Sequence, residues 1–217
     1  MNESLKKYYA ERANEYDLIY RKPERQVELR VLARKLSNLL NKRNVIEVAC
    51  GTGYWTQFIA ERCIHVTATD CNHEVLEIAE RRLEEYGNIS CKISDAFELN
   101  GIAQEYDGAF AGFWLSHLKK DQISCFLEVL HSKLIPGSII VFVDNRYVEG
   151  SSTPISRRDE GGNTYQLRQL DNGSKREILK NFITKQDFTE VISNHSNSVG
   201  FVDYKYYWCG WYVLSEE

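Results

Sequence analysis

The hydrophobic and polar positions of residues 44–143 predict short strands that alternate with helices. Apolar runs predict strands at 44–49, 64–69, 89–93, 106–111 and 138–143, the last one after a Pro136-Gly137 turn. Between them, apolar residues at helical spacing predict helices at 54–62, 73–86 and 121–134. Because strand–helix–strand units cross over with a right hand, this order predicts an α/β fold with a doubly wound, mostly parallel sheet.

The segments on either side complete the predicted domain. Residues 24–40 predict a helix within an N-terminal helical cap at 1–40. Residues 145–182 are polar, with predicted strands at 164–170 and 176–180 around an Asn172-Gly173 turn, so we expect a lid or substrate insertion there. A helix at 185–194 and two strands within 198–215 follow, and we expect an antiparallel C-terminal edge strand. The chain, 1–217, is therefore predicted to be a single domain with a seven-stranded sheet.

Charge, cysteines and hydropathy narrow the function classes. The chain has 27 Lys and Arg against 31 Asp and Glu, a net charge of −4, and no basic stripe, so we expect no nucleic-acid partner. Its six cysteines form no CxxC pair and no zinc-ligand spacing, so we expect no metal. The polar start and the lack of a bilayer-length apolar run predict a cytoplasmic protein without a membrane partner. The sequence does not indicate an oligomeric state.

The most informative segment is the run that ends in Cys50-Gly-Thr-Gly53. An apolar strand feeds a turn whose two glycines let a ligand approach the backbone closely. A dinucleotide fingerprint would need a third small residue where Thr56 stands, which argues against NAD. A phosphate-binding P-loop would need Gly-Lys-Ser/Thr, which does not follow.

Acidic residues follow the next two predicted strands. Asp70 ends the second strand, and Asp95 comes after the third. Ligands bind at the carboxyl ends of such sheets, so these positions are expected to converge on the glycine turn. An acid at Asp70 can accept hydrogen bonds from ribose hydroxyls.

The pattern Glu47-x-x-x-Gly51-x-Gly53 resembles motif I of the class I S-adenosylmethionine-dependent methyltransferases, and the resemblance extends over nearly the whole chain. It implies S-adenosylmethionine as cofactor, with Glu47 near its amino acid portion and Asp95 at its adenine amino group. The residues that we expect at the cofactor are Tyr9, Arg12, Glu47, Gly51, Gly53, Trp55, Thr56, Asp70, Asp95, Ala96, Phe97 and Phe113.

The N-terminal run 7–17 is similar to the leading helix of small-molecule methyltransferases. The resemblance implies that Tyr8 or Tyr9 closes over the cofactor and that Arg12 lies near the methionine carboxylate. A guanidinium fork matches a carboxylate, which makes this role chemically reasonable.

The acceptor is expected beside the loops after the fourth and fifth strands. Phe113 and Trp114 could stack on cofactor or substrate, and His117 is the candidate general base. Arg146 is the candidate clamp for an anionic substrate, with Tyr147 as a further donor. Arg168 and Lys180 of the insertion could help, although exposed lid charges are the simpler expectation for both.

Together these motifs resemble those of small-acid O-methyltransferases and imply O-methylation of a small anionic metabolite. A methyltransferase for a protein or RNA substrate would share the cofactor site but need a broader, basic groove. A non-catalytic module would bind the cofactor and transfer nothing. Each residue also has a structural alternative, since Asp70 could cap a helix and His117 could belong to the core.

Overall fold

The computed structural model describes residues 3–103, 105–169, 173–196 and 198–215. Within them the strands are β1 (Asn44–Val48), β2 (His65–Asp70), β3 (Ile89–Ile93), β4 (Tyr106–Gly112), β5 (Leu134–Asn145), β6 (Ile155–Arg158), β7 (Thr164–Gln169), β8 (Lys175–Leu179), β9 (Val199–Asp203) and β10 (Tyr207–Val213). The helices are α1 (Glu3–Glu11), α2 (Gln26–Leu39), α3 (Thr56–Ala60), α4 (His73–Leu83), α5 (Ile123–His131) and α6 (Lys185–Ile192).

Seven strands form the main sheet in the order β3-β2-β1-β4-β5-β10-β9. The first five pair in parallel, and β10 runs antiparallel to both β5 and β9. The predicted doubly wound, mostly parallel sheet with an antiparallel C-terminal strand is confirmed. The antiparallel strand β10 lies one position inside the sheet, and β9 forms the edge.

Alternating side chains of β1 enter the two layers that cover the sheet. Val45 packs with the apolar residues of α2, α3 and α4, whereas Ile46 and Val48 pack with those of α5 and α6. This alternation follows from the two-residue period of a strand. It also directs Glu47 into the α2–α4 side, where the side chain is buried.

Two predicted boundaries differ from the structure for local reasons. The helix predicted at 54–62 is only α3, because residues 51–55 still belong to the glycine turn. The predicted Pro136-Gly137 turn lies inside β5, where the pairing jumps from Tyr106–Leu134 to Gly108–Ile139. Gly137 has a φ of +79°, so these residues bulge out while the strand continues.

The insertion between β5 and α6 forms a separate three-stranded sheet in the order β6-β7-β8. The predicted hairpin is confirmed as β7 and β8, which pair antiparallel from Tyr165–Leu179 to Gln169–Lys175. The predicted strand end at Leu170 and the Asn172 of the turn lie outside the described residues. Strand β6 was not expected, because its sequence, Ile-Ser-Arg-Arg, is largely polar and exposed.

The N-terminal cap comprises α1, the 3-10 segment Ala13–Arg21 and the 3-10 turn Pro23–Arg25. It is tied to the sheet through Asp17, which pairs with Arg82 of α4 and accepts a hydrogen bond from Thr52 Oγ1 at 2.7 Å. Arg82 in turn donates to the Thr52 carbonyl at 2.8 Å. The cap is therefore fastened to the glycine turn itself. In the described part of the chain, every helix is too short or too polar to cross a bilayer.

Gly53 is the residue of the turn for which a side chain is most costly. Its φ is +73°, and a Cβ there would lie 2.9 Å from Leu83 Cδ1 and 3.2 Å from Ala79 Cβ. We expect Gly53→Ala to lower the free energy of unfolding by about 1–2 kcal/mol for the left-handed backbone and about 1–3 kcal/mol more for the clash. The control is Gly150→Ala, which has a φ of +76° but open space around it. Urea unfolding of both variants tests this, and equal losses would contradict the packing role.

Candidate active site

The glycine turn donates its Gly51 amide to the carboxylate at the end of β2. Gly51 has a φ of +57°, a Cβ there would meet nothing within 4 Å, and its N–H donates to Asp70 Oδ2 at 3.0 Å. Gly53 instead packs against α4. The two glycines therefore have different tasks, since Gly51 leaves space for a ligand and Gly53 brings the helix layer close.

A cavity lies above this turn, at the carboxyl ends of β1, β2 and β4. We call it the glycine-turn cavity. Its lining residues are Tyr9, Tyr16, Ala49, Gly51, Asp70, Cys71, Asn72, Val75, Ser94, Ala96, Gly112, Phe113, Trp114 and His117. This is the edge of a doubly wound sheet at which ligands bind.

Asp70 organises the floor of the glycine-turn cavity. Its Oδ1 accepts from the Asn72 N–H at 2.9 Å, in addition to the bond from Gly51. Burial raises the pKa of Asp70, and the backbone hydrogen bonds oppose that shift. The backbone and the thiol of Cys71 also donate to Asp70, and a ligand hydroxyl, which is a stronger donor than a thiol, can take the place of the thiol.

Three buried polar atoms in the cavity wall suit a nucleoside-like ligand. Asn72 Oδ1, Ser94 Oγ and Trp114 Nε1 are buried and have no hydrogen-bond partner among the described residues. Buried polar atoms are usually paired, so these atoms indicate a ligand that supplies both donors and acceptors. Apolar neighbours, Val75 and Ala96, provide surfaces for a flat ring. The residues present therefore fit the adenosyl group of S-adenosylmethionine.

The structure brings together five of the residues expected at the cofactor, namely Tyr9, Gly51, Asp70, Ala96 and Phe113, which line this cavity. Asp95 and Phe97, also expected at the cofactor, do not line it. The Asp95 side chain accepts from the Phe97 N–H at 2.8 Å, and the Phe97 ring packs against Trp114.

Four other residues expected at the cofactor lie in the turn or next to it and do not line the cavity. They are Glu47, Gly53, Trp55 and Thr56. Glu47 points into the helix layer because of the alternation along β1, and burial raises its pKa to about 8. Trp55 packs beneath Phe113 with ring centroids 5.9 Å apart.

A second cavity of about 310 Å³ lies between the cap and the insertion. Five positively charged residues line it, namely Arg12, Lys22, Arg25, Arg168 and Lys180, and none of the described residues in its lining is acidic. We call it the cationic cavity. Arg12 was expected at the cofactor, but it lines this cavity, where its Nη1 donates to Tyr8 Oη at 2.9 Å.

The two cavities share a wall that consists of Tyr9, Tyr16, Phe113 and His117. Phe113 has a φ of +58°, an uncommon backbone conformation for a bulky residue. Such strain is retained where the surroundings fix it and is concentrated at functional sites.

His117 is fixed from two sides. Its Nδ1 lies 2.8 Å from the Leu179 carbonyl, and its Nε2 lies 2.7 Å from Tyr9 Oη. A carbonyl only accepts, so Nδ1 carries the proton and donates. Burial, together with the charges of Lys180 and Arg168, holds the pKa of His117 well below its usual value. The imidazole is therefore neutral, and Nε2 accepts from the Tyr9 hydroxyl.

Lys180 is buried, so the expectation of an exposed lid charge was wrong for this residue. Its Nζ donates to Asp144 Oδ1 at 2.9 Å and to Ser116 Oγ at 2.5 Å. Burial lowers the pKa of Lys180, and the Asp144 charge opposes this. The bonds join the end of the insertion to the ends of β4 and β5. Arg168 is half-buried and donates to Gln166 Oε1 at 2.8 Å.

The structure does not bring Arg146 or Tyr147 to either cavity. Arg146 is exposed and donates to the Tyr204 carbonyl at 2.7 Å, with Asp203 3.4 Å away. Tyr147 is exposed and packs on Phe182 with ring centroids 5.2 Å apart. Beyond Asp144 the chain turns outward toward β9 and β10, which carries both side chains away.

Sequence reasoning did not identify several residues of the site. Tyr16, Asn72, Lys22 and Arg25 line the cavities but were not singled out, and of these only Tyr16 lies within a motif, the run 7–17. Asn72 had a usable signal, since it lies two positions after Asp70. The 3-10 segments that carry Tyr16 and Arg25, and Lys22 between them, have no comparable periodic signature.

The role of Asp70 can be tested by titration with S-adenosylhomocysteine. Asp70→Asn keeps the size of the side chain but removes the charge and one acceptor. Hydrogen bonds to charged groups contribute about 1.5–3 kcal/mol, so we expect binding to weaken roughly tenfold to a hundredfold. The control is Asp107→Asn, which lies near the amino end of β4, whereas the cavity lies at the carboxyl end of that strand. Unchanged affinity in Asp70→Asn would rule out Asp70 as a ligand contact.

Solved methyltransferase structures share the whole architecture. A DhpI–SAH complex (SAH is S-adenosylhomocysteine) superposes with a TM-score of 0.79 at 25% identity, over 99% of this chain and 97% of that one. A DhpI–SAM–HEP complex gives a TM-score of 0.77 at 25% identity, over 96% and 95%. The N-methyltransferase NodS of Bradyrhizobium japonicum WM9 shares the fold at 17% identity and a TM-score of 0.63, over 90% and 99%.

Sequence comparison gives the same family. A family model described as a methyltransferase domain matches residues 45–137. The malonyl-[acyl-carrier protein] O-methyltransferase of Priestia megaterium (strain DSM 319 / IMG 1521) is 28% identical over 144 residues, 64% of this chain and 50% of that protein. The chain thus spans about half the length of this curated relative. Sequence comparison therefore identifies a methyltransferase domain at residues 45–137, and the structure places it in a fold that is shared, over nearly the whole chain, with complexes of S-adenosylmethionine and S-adenosylhomocysteine.

Proposed function

We propose that the protein transfers the methyl group of S-adenosylmethionine to an oxygen of a small anionic acceptor. The observation that supports this most strongly is the cationic cavity, which has five positive side chains and no described carboxylate in its lining. It shares a wall with the glycine-turn cavity, so an acceptor there lies next to the cofactor. A cavity of one charge sign concentrates ligands of the opposite sign.

The glycine-turn cavity would hold the cofactor. Asp70 would accept from the ribose hydroxyls, and Asn72 and Ser94 offer the buried polar atoms that the adenosyl group can pair. When bound, S-adenosylmethionine supplies an electrophilic methyl group on a sulfonium. The residues common to both cavities, with Phe113 in its strained conformation, line the boundary at which this methyl group would meet the acceptor oxygen.

On the acceptor side, Arg168 and Arg12 would bind the anion. A carboxylate is already ionised at neutral pH, so its oxygen needs no general base to act as a nucleophile. What the protein must provide is alignment, and correct positioning can supply about 7–11 kcal/mol of a reaction barrier. The fork geometry of a guanidinium orients a carboxylate as well as binding it.

In this proposal His117 positions the cap instead of removing a proton. Its Nε2 receives the Tyr9 hydroxyl from α1, and its Nδ1 is held by the Leu179 carbonyl of β8. The cap and the insertion thus meet over the reacting groups, which excludes water from them.

The named relative suggests a second candidate acceptor, an acid carried on a protein arm. Its name specifies malonyl groups on an acyl carrier protein, again an acid whose oxygen is methylated. The cationic cavity is compatible with a carboxylate at the end of such an arm. A carrier-bound acid therefore belongs in the same acceptor screen.

The test is methyl transfer from isotope-labelled S-adenosylmethionine to matched carboxylates, phosphonates, alcohols and amines, and to a malonyl thioester. We expect label in the methyl esters of the acids, which base hydrolyses for the carboxylates but not for the phosphonates. The Asp70→Asn variant serves as the control that binds cofactor poorly. Label found only in amines would overturn the proposal of an anionic oxygen acceptor.

Arg168 and Arg146 form a matched pair for a charge test. We expect Arg168→Gln to lower kcat/KM for an acid acceptor roughly tenfold to a hundredfold, as loss of a charged hydrogen bond does. Affinity for S-adenosylhomocysteine should not change. Arg146→Gln removes an exposed charge that lines neither cavity and should leave both quantities near wild type. Equal losses in the two variants would show a general charge effect.

The pH dependence of kcat/KM tests the neutral imidazole. Because the pKa of His117 is held well below 6.5, we expect no change in kcat/KM for a carboxylate as the pH falls from 8 to 6.5. At lower pH the imidazole gains a proton, can no longer accept from Tyr9, and the cap loosens. A loss of activity with a midpoint between pH 6.5 and 7.5 that disappears in His117→Gln would contradict this account.

A further inference from the structure

Two cations of the cationic cavity form a group of their own around Ser151. Arg25 ends the 3-10 turn before α2, and its Nη2 donates to Ser151 Oγ at 3.0 Å. Lys22 Nζ lies 3.5 Å from the carbonyl oxygen of the same serine. Both side chains line the cavity.

Arg25 carries a buried charge without a carboxylate partner. Only 8% of the residue is exposed, and its guanidinium lies over the rings of Tyr206 and Tyr207, 5.1 and 5.7 Å from their centroids. Its Nε is buried with no hydrogen-bond partner among the described residues. No acid in the described part of the chain forms an ion pair with it, and the nearby Glu28 carboxylate accepts from the backbone of Lys205 and Tyr206. A buried charge of this kind is normally paired.

This Ser151 group is distinct from the Arg12–Arg168 group. Arg12 donates to Tyr8, and Arg168 donates to Gln166. The charge of Arg168 acts on His117 in the shared wall. The contacts of Arg25, by contrast, are to Ser151, Tyr206 and Tyr207, none of which lines the glycine-turn cavity. The cationic cavity thus has one group of cations at the reacting wall and another apart from it.

We propose that the acceptor carries a second acidic group, a carboxylate or a phosphoryl group, which Arg25 and Lys22 bind. This inference rests on the proposed function and makes it more specific, because the substrate class becomes a small dianion. One acid group is methylated at the shared wall, and the other remains unmodified as an anchor. The anchor would supply the partner that the buried Arg25 guanidinium lacks.

The experiment is calorimetric titration of the protein saturated with S-adenosylhomocysteine. The probes are the dicarboxylates malonate, succinate, glutarate and adipate, each with the monocarboxylate of the same chain length, and 3-phosphonopropionate. We expect at least one diacid to bind tenfold or more tightly than its matched monoacid. Comparison of 3-phosphonopropionate with succinate shows whether the anchor is a phosphoryl group or a carboxylate.

The variants Arg25→Gln and Arg25→Lys assign that preference to Arg25. Arg25→Gln should abolish the advantage of the diacid and leave monoacid binding within twofold, whereas Arg25→Lys should retain part of it. Thermal unfolding and S-adenosylhomocysteine affinity show whether the variants are folded. If Arg25→Gln does not fold, Lys22→Gln replaces it in the same comparison.

The possible failures are separable. The proposal of a dianionic acceptor is wrong if the wild type binds matched diacids and monoacids with equal affinity. It is also wrong if Arg25→Gln loses affinity for both equally. Neither result contradicts the proposal of an anionic acceptor. Binding and methylation of amines, with no acid bound, overturn both proposals.

Discussion

The His117 imidazole joins three parts of the chain that are distant in sequence. It lies in the loop after β4, receives the Tyr9 hydroxyl from the cap at 2.7 Å and holds the Leu179 carbonyl of the insertion at 2.8 Å. The bond to the carbonyl requires a proton on Nδ1, and acceptance from Tyr9 at Nε2 requires the neutral ring. The two cavities meet at this residue, so the closed shape of the site depends on its protonation state.

The charged residues around His117 affect both the structure of the site and the charge of the ligand that it favours. The protein carries a net charge of −4, yet five cations line one cavity. Lys180 is balanced by the buried Asp144, which ties the insertion to the end of β5. Burial, together with the charges of Lys180 and Arg168, keeps the imidazole neutral, and the cations of the cavity favour an anionic ligand. The same charges therefore maintain the cap contact and select the acceptor.

The fold was largely predictable because it depends on local periodicity. Strands of period two and helices of period 3.6 gave the order of elements, and the shared edge of a parallel sheet brought Gly51 and Asp70 together. The two-residue period of the strand could also have placed Glu47 on the helix side, but we assigned it to the cofactor because of its position in the motif. Residues that depend on tertiary contacts were less predictable. The Lys180–Asp144 pair spans 36 positions, and Arg25 lies in a 3-10 turn without a sequence signature. Arg146 was misplaced because the direction of the chain after β5 depends on its pairing with β10.

The account is tested most directly by a crystal structure of the protein with S-adenosylhomocysteine and a small acid that it methylates. It predicts the nucleoside against Asp70 and Asn72, the acid in the cationic cavity at Arg168, and the sulfur and a carboxylate oxygen facing each other across the gap at Phe113 and His117. An acid bound elsewhere, or a nucleoside in the cationic cavity, would contradict the assignment of the two cavities.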